Sequence, residues 1–296
     1  MRRSLFLASA FLLVSATVLA HGVHRQGNRS ISFDDEGATA DCSAMRVRFD
    51  GDRVPVVTEN VPVGSLRSLR VRSDRNGGVR VIGSGGSGYS VRACKAVAPA
   101  TDASQVRVSV NGDEVSASGP ENDGWVVYFI VETPRNATLD VSSTNGPIGV
   151  SAFNGTLTAR AKNGPLSVKD SSGTITASTV NGPISIAGGR GNVKLTATNG
   201  PLSVKLDGSF WDGDLSASTQ NGPVSLKLPR GYRSGVVVES LGHGPVSCRA
   251  ERCAETRVRD WRDDDDGRLR RIELGSGPAA VHLSTVNGPV SVKDLD

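Results

Sequence analysis

The chain has 296 residues, with 34 lysine and arginine residues against 30 aspartate and glutamate residues and a formal net charge of +4 at pH 7. The basic residues are dispersed along the sequence, whereas phosphate binding needs a concentrated cationic surface. We therefore expect no nucleic-acid partner, and the near balance of charge also argues against strong attraction to an anionic membrane. The length allows one large domain or two small ones.

Residues 1–20 have the organisation of a secretory signal peptide. Arg2 and Arg3 precede an apolar run from Leu5 to Leu19, and small residues around Ala20 provide a cleavage site. The alternative is a membrane anchor, but the run is short for a bilayer span of about 20 residues. No second long apolar run follows, so we expect no transmembrane segment in the mature chain. The sequence thus predicts export to the periplasm, the cell surface or the medium.

Two short regions follow the signal peptide. Residues 21–40 are polar and rich in turn formers, which is typical of a flexible tether. Residues 41–64 contain Cys42, and we expect them to form an N-terminal cap region that protects the open edge of the first coil of a repeat domain.

The four cysteines, Cys42, Cys94, Cys248 and Cys253, are an even number in an exported chain, which favours disulfides. Three pairings are possible and sequence alone does not choose among them. Because each pair would lie within its own half of the chain, we favour Cys42 with Cys94 and Cys248 with Cys253. A zinc site is the weaker alternative, since the chain has four histidines and no CxxC spacing. We expect no metal and no cofactor.

The middle of the chain repeats every nine residues. Turn dipeptides recur at this spacing from Asn145-Gly146 to Asn199-Gly200 and resume after a four-residue insertion at Asp207 to Phe210. Apolar residues fall three and five positions after each turn residue, as Ile184 and Ile186 do around Ser185. This period-two alternation predicts a short strand in each unit, with one face buried.

A column of prolines sets the true period at 18 residues. Proline follows the glycine only in every second unit, at Pro147, Pro165, Pro183, Pro201 and Pro223. Since proline lacks a backbone donor, such a column belongs at a corner or at the start of strands. We therefore predict an all-β fold, a parallel β-solenoid with 18-residue coils of two strands and almost no helix, over residues 65–296. The alternative is an antiparallel β-meander, because Asn-Gly is also a hairpin signal.

The sequence resembles a known family. The signal peptide, the strand Trp125 to Val131 running into Pro134 to Leu139, and the Asn-Gly-Pro-Ile/Leu/Val-Ser-Val units are similar to the bacterial exported putative adhesin family of unknown function, also called toastrack and related to head-GIN domains. The resemblance covers about Ser65 to Asp296. It implies a β-solenoid at the bacterial envelope, sometimes linked to envelope-stress systems, and it brings no catalytic residues. The four cysteines and a charged insertion at about 249–273 depart from the simplest members.

Surface residues of the repeat supply the candidate contact sites. The turn asparagines either bind a glycan with a column of amides or satisfy the turn backbones and one another, and we favour the second interpretation. These residues are Asn145, Asn163, Asn181, Asn199, Asn221 and Asn287. We interpret Lys169, Lys205 and Lys227 as solvated side chains. Trp211, beside the four-residue insertion, is the best candidate for an exposed contact.

No pattern indicates a catalytic centre or a metal site. A triad needs a base beside a nucleophile, and the histidines at positions 21, 24, 243 and 282 lie in the tether or in scaffold positions. Asp264, Asp266 and Glu273 approach the spacing of a calcium loop, but Arg262 occupies the first ligand position. A solvated loop is the favoured interpretation.

These observations favour a non-enzymatic, exported envelope or cell-surface protein, an adhesin-like binding or structural scaffold. Its partner would be an envelope glycan, a cell surface or an envelope protein. A second hypothesis is an extracytoplasmic sensor or accessory protein in an envelope-stress pathway. A third, less favoured, is a polysaccharide-acting β-helix enzyme, which would need clustered carboxylates where the strands offer Ser, Thr and Lys.

Overall fold

The computed structural model describes residues 21–26, 29–34, 40–121, 124–242, 244–255, 257–262, 268–275 and 277–295. The predicted signal peptide, His243 and residues 263–267 of the calcium-like loop lie outside the described residues. Within the described ranges, helix is limited to the three short 3₁₀ segments Cys42–Ala44, Ala103–Gln105 and Glu251–Glu255. None of these ranges contains a helix with the length and hydrophobicity of a membrane span.

The N-terminal part forms a small antiparallel sheet. Its strands are β1 (His21–Gln26), β2 (Arg29–Asp34), β3 (Arg46–Phe49) and β4 (Asp52–Val54), paired in this order. The prediction of a flexible tether is therefore wrong for β1 and β2. The run Ser30-Ile31-Ser32-Phe33 alternates polar and apolar residues, which is a strand pattern that the polar composition of the segment obscured.

Two long sheets, one against the other, form the body of the protein. The chain first builds one end of both sheets, then lays down regular coils, each made of a longer strand in the first sheet and a shorter strand in the second. The strands of the first end are β5 (Val57–Val61), β6 (Leu69–Asn76), β7 (Val79–Gly83), β8 (Ser90–Val97), β9 (Arg107–Asn111), β10 (Glu114–Ser118) and β11 (Trp125–Thr133).

The regular coils follow. Their strands are β12 (Ala137–Asn145), β13 (Ile148–Ser151), β14 (Asn154–Asn163), β15 (Leu166–Lys169), β16 (Ser172–Asn181), β17 (Ile184–Ala187), β18 (Arg190–Asn199), β19 (Leu202–Lys205), β20 (Leu215–Asn221) and β21 (Val224–Leu228). Neighbouring strands are parallel and 18 residues apart in register, as Ile184 opposite Leu166 and Leu202 shows. The spacing is 22 from β18 to β20 and from β19 to β21, because the four-residue insertion lies between them. The predicted parallel solenoid with 18-residue coils is confirmed, and the meander is wrong.

The remaining strands are β22 (Gly235–Ser240), β23 (Val246–Cys248), β24 (Arg257–Arg262), β25 (Arg268–Leu274), β26 (Ala279–Asn287) and β27 (Val290–Asp294). The charged insertion thus forms an antiparallel hairpin, β24–β25, on the edge of the first sheet.

Spatial order departs from chain order at both ends. The first sheet runs β24-β25-β22-β26-β20-β18-β16-β14-β12-β6-β10-β9, and the second runs β23-β27-β21-β19-β17-β15-β13-β7-β11-β8-β5. Coil β26–β27 therefore lies between coil β20–β21 and coil β22–β23, and coil β6–β7 lies between β10–β11 and β12–β13. Antiparallel strands close both ends of the first sheet and the β8–β5 end of the second, whose other edge is the parallel strand β23.

A ladder of inward aliphatic side chains fills the space between the sheets. Leu69, Ile148, Ile184, Leu202 and Val281 are at most 1% exposed. At the corner between the sheets the coils approach so closely that a Cβ on Gly164 would lie 2.2 Å from the Gly146 carbonyl oxygen. Only glycine fits there. The proline that follows this glycine has no backbone N–H that would need an acceptor, but its carbonyl accepts a bond between coils. For example, the Ile148 N–H donates to the Pro165 oxygen at 2.9 Å.

Candidate functional site

The outer face of the second sheet divides into a covered part and an open part. At the β7, β11 and β8 end, outward side chains such as Tyr128 and Ile130 are buried, because Cys42 and Met45 pack on them. Val47 and Phe49 of β3 cover the neighbouring Val126 in the same way. The segment predicted as a cap of the first coil therefore covers a sheet face, while β5 forms the sheet edge.

From β15 onwards this face is open and repeats one three-residue unit. Each strand places a serine outward, then an inward residue that is buried on all of these strands except β23, where Cys248 is half-buried. The next outward residue, which on β23 directly follows the strand, is basic in five of six cases. In spatial order the serine ladder is Ser167, Ser185, Ser203, Ser225, Ser291 and Ser247. The basic ladder beside it is Lys169, Lys205, Lys227, Lys293 and Arg249, interrupted by Ala187.

The basic ladder concentrates positive charge in a line. Neighbouring strands lie about 4.8 Å apart, so Lys205, Lys227, Lys293 and Arg249 occupy four successive positions over about 14 Å. Lys169 lies 4.0 Å from Asp170. Within the described part of the chain, no ion pair involves Lys205, Lys293 or Arg249.

Charges on the first sheet are arranged differently. Arg70 pairs with Asp113 at 2.6 Å, and Arg72 and Arg160 share Asp140 at 2.6 and 3.1 Å. The hydrogen bond from Arg70 lowers the pKa of Asp113, and the same bond raises the pKa of Arg70. Basic side chains on that face are thus interleaved with carboxylates, whereas those of the basic ladder neighbour one another.

Stacked like charges do not help folding. Like charges directly opposite one another on adjacent strands are destabilising. Ala187 occupies the same register on β17, so the fold accepts an uncharged residue at this position. A local feature that costs stability without a structural need is typical of a functional surface.

The turn asparagines form an amide ladder along one edge. Each Nδ2 donates to the Oδ1 of the asparagine one coil before, as from Asn181 to Asn163 at 2.9 Å. The ladder comprises Asn76, Asn145, Asn163, Asn181, Asn199, Asn221 and Asn287. These amides bond to one another, as the favoured interpretation holds. Asn76, which Gly77 follows in the sequence, is a further member that the predicted column does not include.

Shallow grooves lie on the opposite edge. One, of about 550 Å³, is lined by Arg135, Asn154 and Arg190 among others. The next, of about 630 Å³, contains Asp170 and Asp207 and the exposed Phe210. The two carboxylates flank Gly188, where a Cβ would lie 2.7 Å from each.

Trp211 is buried, so the expectation of an exposed contact there is wrong. Its indole is 4% exposed, and its Nε1 donates to the Gly191 carbonyl oxygen at 2.9 Å. The four-residue insertion folds the indole inward as an anchor and leaves its neighbour Phe210 in solvent at 63% exposure. An insertion breaks the repeat register, so the sequence did not show which of the two aromatic residues turns inward.

The cysteines form two disulfides, Cys42–Cys94 and Cys248–Cys253. The first ties the covering segment to β8, and the second lies beside β23 at the other end of the second sheet. Disulfides of this kind are typical of proteins outside the reducing cytoplasm.

Neither a catalytic constellation nor a metal cluster stands out in the described residues. His282 lies in β26, and its Nε2 is 3.0 Å from the Ala279 carbonyl oxygen. No group of three or more His, Cys, Asp or Glu side chains in the described ranges could hold a metal ion.

No protein-family model and no curated protein matches this chain. A solved putative cell adhesion protein from Clostridium sporogenes is 8% identical, aligned over 82% of this chain and 100% of its own, with a TM-score of 0.28. Putative adhesins from Bacteroides fragilis and Parabacteroides distasonis are 12% and 11% identical over 81% of this chain and 97% of theirs, with TM-scores of 0.28 and 0.30.

Lys293, Arg249 and the serine ladder are the surface residues that sequence reasoning missed. A signal was present, because Ser-apolar-Lys recurs at the same place in the 18-residue period from Ser167 onwards. The basic residues are spread thinly along the sequence, and only the coil stacking brings them into one line.

Proposed function

We propose that this protein is a non-enzymatic, exported envelope or cell-surface scaffold that binds an extended ligand along the open face of its second sheet. The observation that carries the proposal is the repeated Ser-apolar-basic unit on neighbouring strands, which presents the same side chains again and again in a straight line. Such a surface fits a long ligand with a repeat of its own better than a small molecule, which needs a concave pocket.

Two further observations support the proposal. The disulfides and the signal-peptide pattern fit export. The covering segment hides the apolar outer residues near Ile130 and leaves the polar part of the same face open, so exposure is confined to residues suited to contact with a hydrated ligand.

Cell fractionation of the full chain carrying a C-terminal epitope tag tests the location. We expect a product shortened by about 20 residues, found outside the cytoplasmic membrane and sedimenting with isolated envelopes. A chain recovered in the cytosol at full length would contradict the proposal.

A second arm tests the absence of catalysis. The purified chain is incubated with cell-wall and capsular polysaccharides, and we expect no released oligosaccharides. Product release would favour the polysaccharide-acting enzyme. Crosslinking in intact envelopes distinguishes the remaining alternative, because one discrete regulatory protein as the main adduct would favour the envelope-stress accessory role over a scaffold for an extended ligand.

A further inference from the structure

We infer that the open face of the second sheet binds an extended acidic polysaccharide, one that carries a carboxylate on each sugar, along the basic and serine ladders. This inference rests on the proposed function and names its ligand class. The first argument is charge complementarity. Lys205, Lys227 and Lys293 on three neighbouring strands, with Arg249 directly after β23, form a line of basic residues. Such a line complements anions arranged in a line.

The spacing of the ladder is the second argument. Successive cations are separated by one strand spacing, about 4.8 Å, and a pyranose ring in an extended chain advances by a similar length. A polymer with one carboxylate on each sugar therefore has a linear charge density close to that of the ladder. Polyphosphate carries its charges more densely than this.

The serine ladder is the third argument. Ser203, Ser225 and Ser291 lie two residues before the lysines on the same strands. Within the described residues these hydroxyls make no hydrogen bond to other side chains or backbone, and each both donates and accepts. A row of hydroxyls beside a row of cations suits sugar hydroxyls next to carboxylates.

Nucleic acid fits this face poorly. Proteins that bind single strands stack the bases on aromatic side chains, and the outward residues of β15, β17, β19, β21, β27 and β23 include none. The N-terminal end of the same sheet does not extend the site. Arg92 pairs there with Glu132 and Lys95 with Glu59, and Arg80 donates to the Ser151 hydroxyl.

The test measures binding of the full mature chain to immobilised polygalacturonate across a salt series. The ladder variant is Lys205→Gln, Lys227→Gln and Lys293→Gln together. A matched control, Arg160→Gln, Lys162→Gln and Lys194→Gln, removes the same charge from the outer face of the first sheet. We expect the wild type to bind, more weakly as salt rises. The ladder variant should lose at least tenfold in affinity and the control less than twofold.

A gain-of-function variant gives an independent readout. Ala187→Lys fills the gap between Lys169 and Lys205 and should tighten binding severalfold. Circular dichroism and thermal melts check that each variant is folded. If the ladder variant does not fold, the inference is tested by the affinity of the Ala187→Lys variant and by the comparison of polygalacturonate with the control polymers.

The controls separate this inference from the proposed function. Fully methyl-esterified polygalacturonate has the same backbone without charge, and we expect it not to bind. Equal binding of the ester, or equal loss in both triple variants, would overturn the inference while leaving an exported glycan-binding scaffold in place. Tighter binding of polyphosphate or single-stranded DNA would also overturn it. If no polymer binds while fractionation still places the chain in the envelope, the inference fails and the location stands.

Discussion

Ile184 occupies the centre of the core ladder. Its side chain is 0% exposed and lies between Leu166 and Leu202 of the neighbouring coils. Ile184→Asp would place an unpaired carboxylate there, and we expect a loss of about 3 to 5 kcal/mol in the free energy of unfolding. The adjacent Ser185 faces outward, so Ser185→Asp should change stability by about 0.5 kcal/mol or less. Denaturant melts of both variants check this, and equal losses would contradict the strand register.

A substitution at Asn181 tests whether each amide of the ladder donates to the asparagine of the preceding coil. Asn181 donates to Asn163 and accepts from Asn199, at 2.9 and 3.0 Å. Asn181→Asp keeps the acceptor but replaces the donor with a carboxylate oxygen facing the Asn163 oxygen. We expect a loss of about 1 kcal/mol at pH 7.

Thermal melts of the Asn181→Asp variant at several pH values test whether the lost donor is the cause of the destabilisation. A carboxylic acid near its ordinary pKa of about 3.9 regains a proton to donate as the pH falls to about 3. The difference in melting temperature between variant and wild type should therefore shrink at acidic pH. Asn181→Ala, which cannot donate at any pH, is the control, and a parallel recovery in both would contradict the ladder.

Among the elements, the covering segment depends on one covalent tie. The Cys42–Cys94 disulfide closes a loop of 52 residues, whereas Cys248–Cys253 spans 5. Constraint of the unfolded chain is then worth about 4 kcal/mol for the first bond and about 2 kcal/mol for the second. Cys42→Ala with Cys94→Ala should thus destabilise the protein more than Cys248→Ala with Cys253→Ala.

The same pair of variants has a second readout. Loosening the segment exposes the apolar outer face around Tyr128 and Ile130, so the first variant should bind a hydrophobic fluorescent dye and the second should not. Equal melting temperatures and equal dye binding in the two variants would show that the segment is held by its packing alone.

At the scale of the whole molecule, the sequence predicted the features that repeat with the 18-residue period. Coil length, the inward position of Ile184 and the amide ladder all follow from an 18-residue repeat. The spatial order at the two ends did not, because strands such as β26 pair across 66 residues and no periodic signal marks the partner. The covering of Ile130 was also hidden, since the segment around Met45 lies outside the repeat. Predicting the basic ladder requires both the 18-residue period and the knowledge that β27 and β23 follow β21 in the second sheet.

The place of coil β26–β27 between β20–β21 and β22–β23 governs the order in which the solenoid can assemble. Most coils add to a neighbour only 18 residues away, but β26 joins β20 across 66 residues, which costs about 1 kcal/mol more in loop-closure entropy. Strands β22 and β23 precede coil β26–β27 along the chain. They nevertheless pair with β26 and β27, so they cannot join the two sheets until that coil has formed. Once β12 has paired with β6, a chain that emerges from its N-terminus therefore grows by regular addition up to β21. It then pauses until about fifty more residues have followed, and it completes its last two coils together.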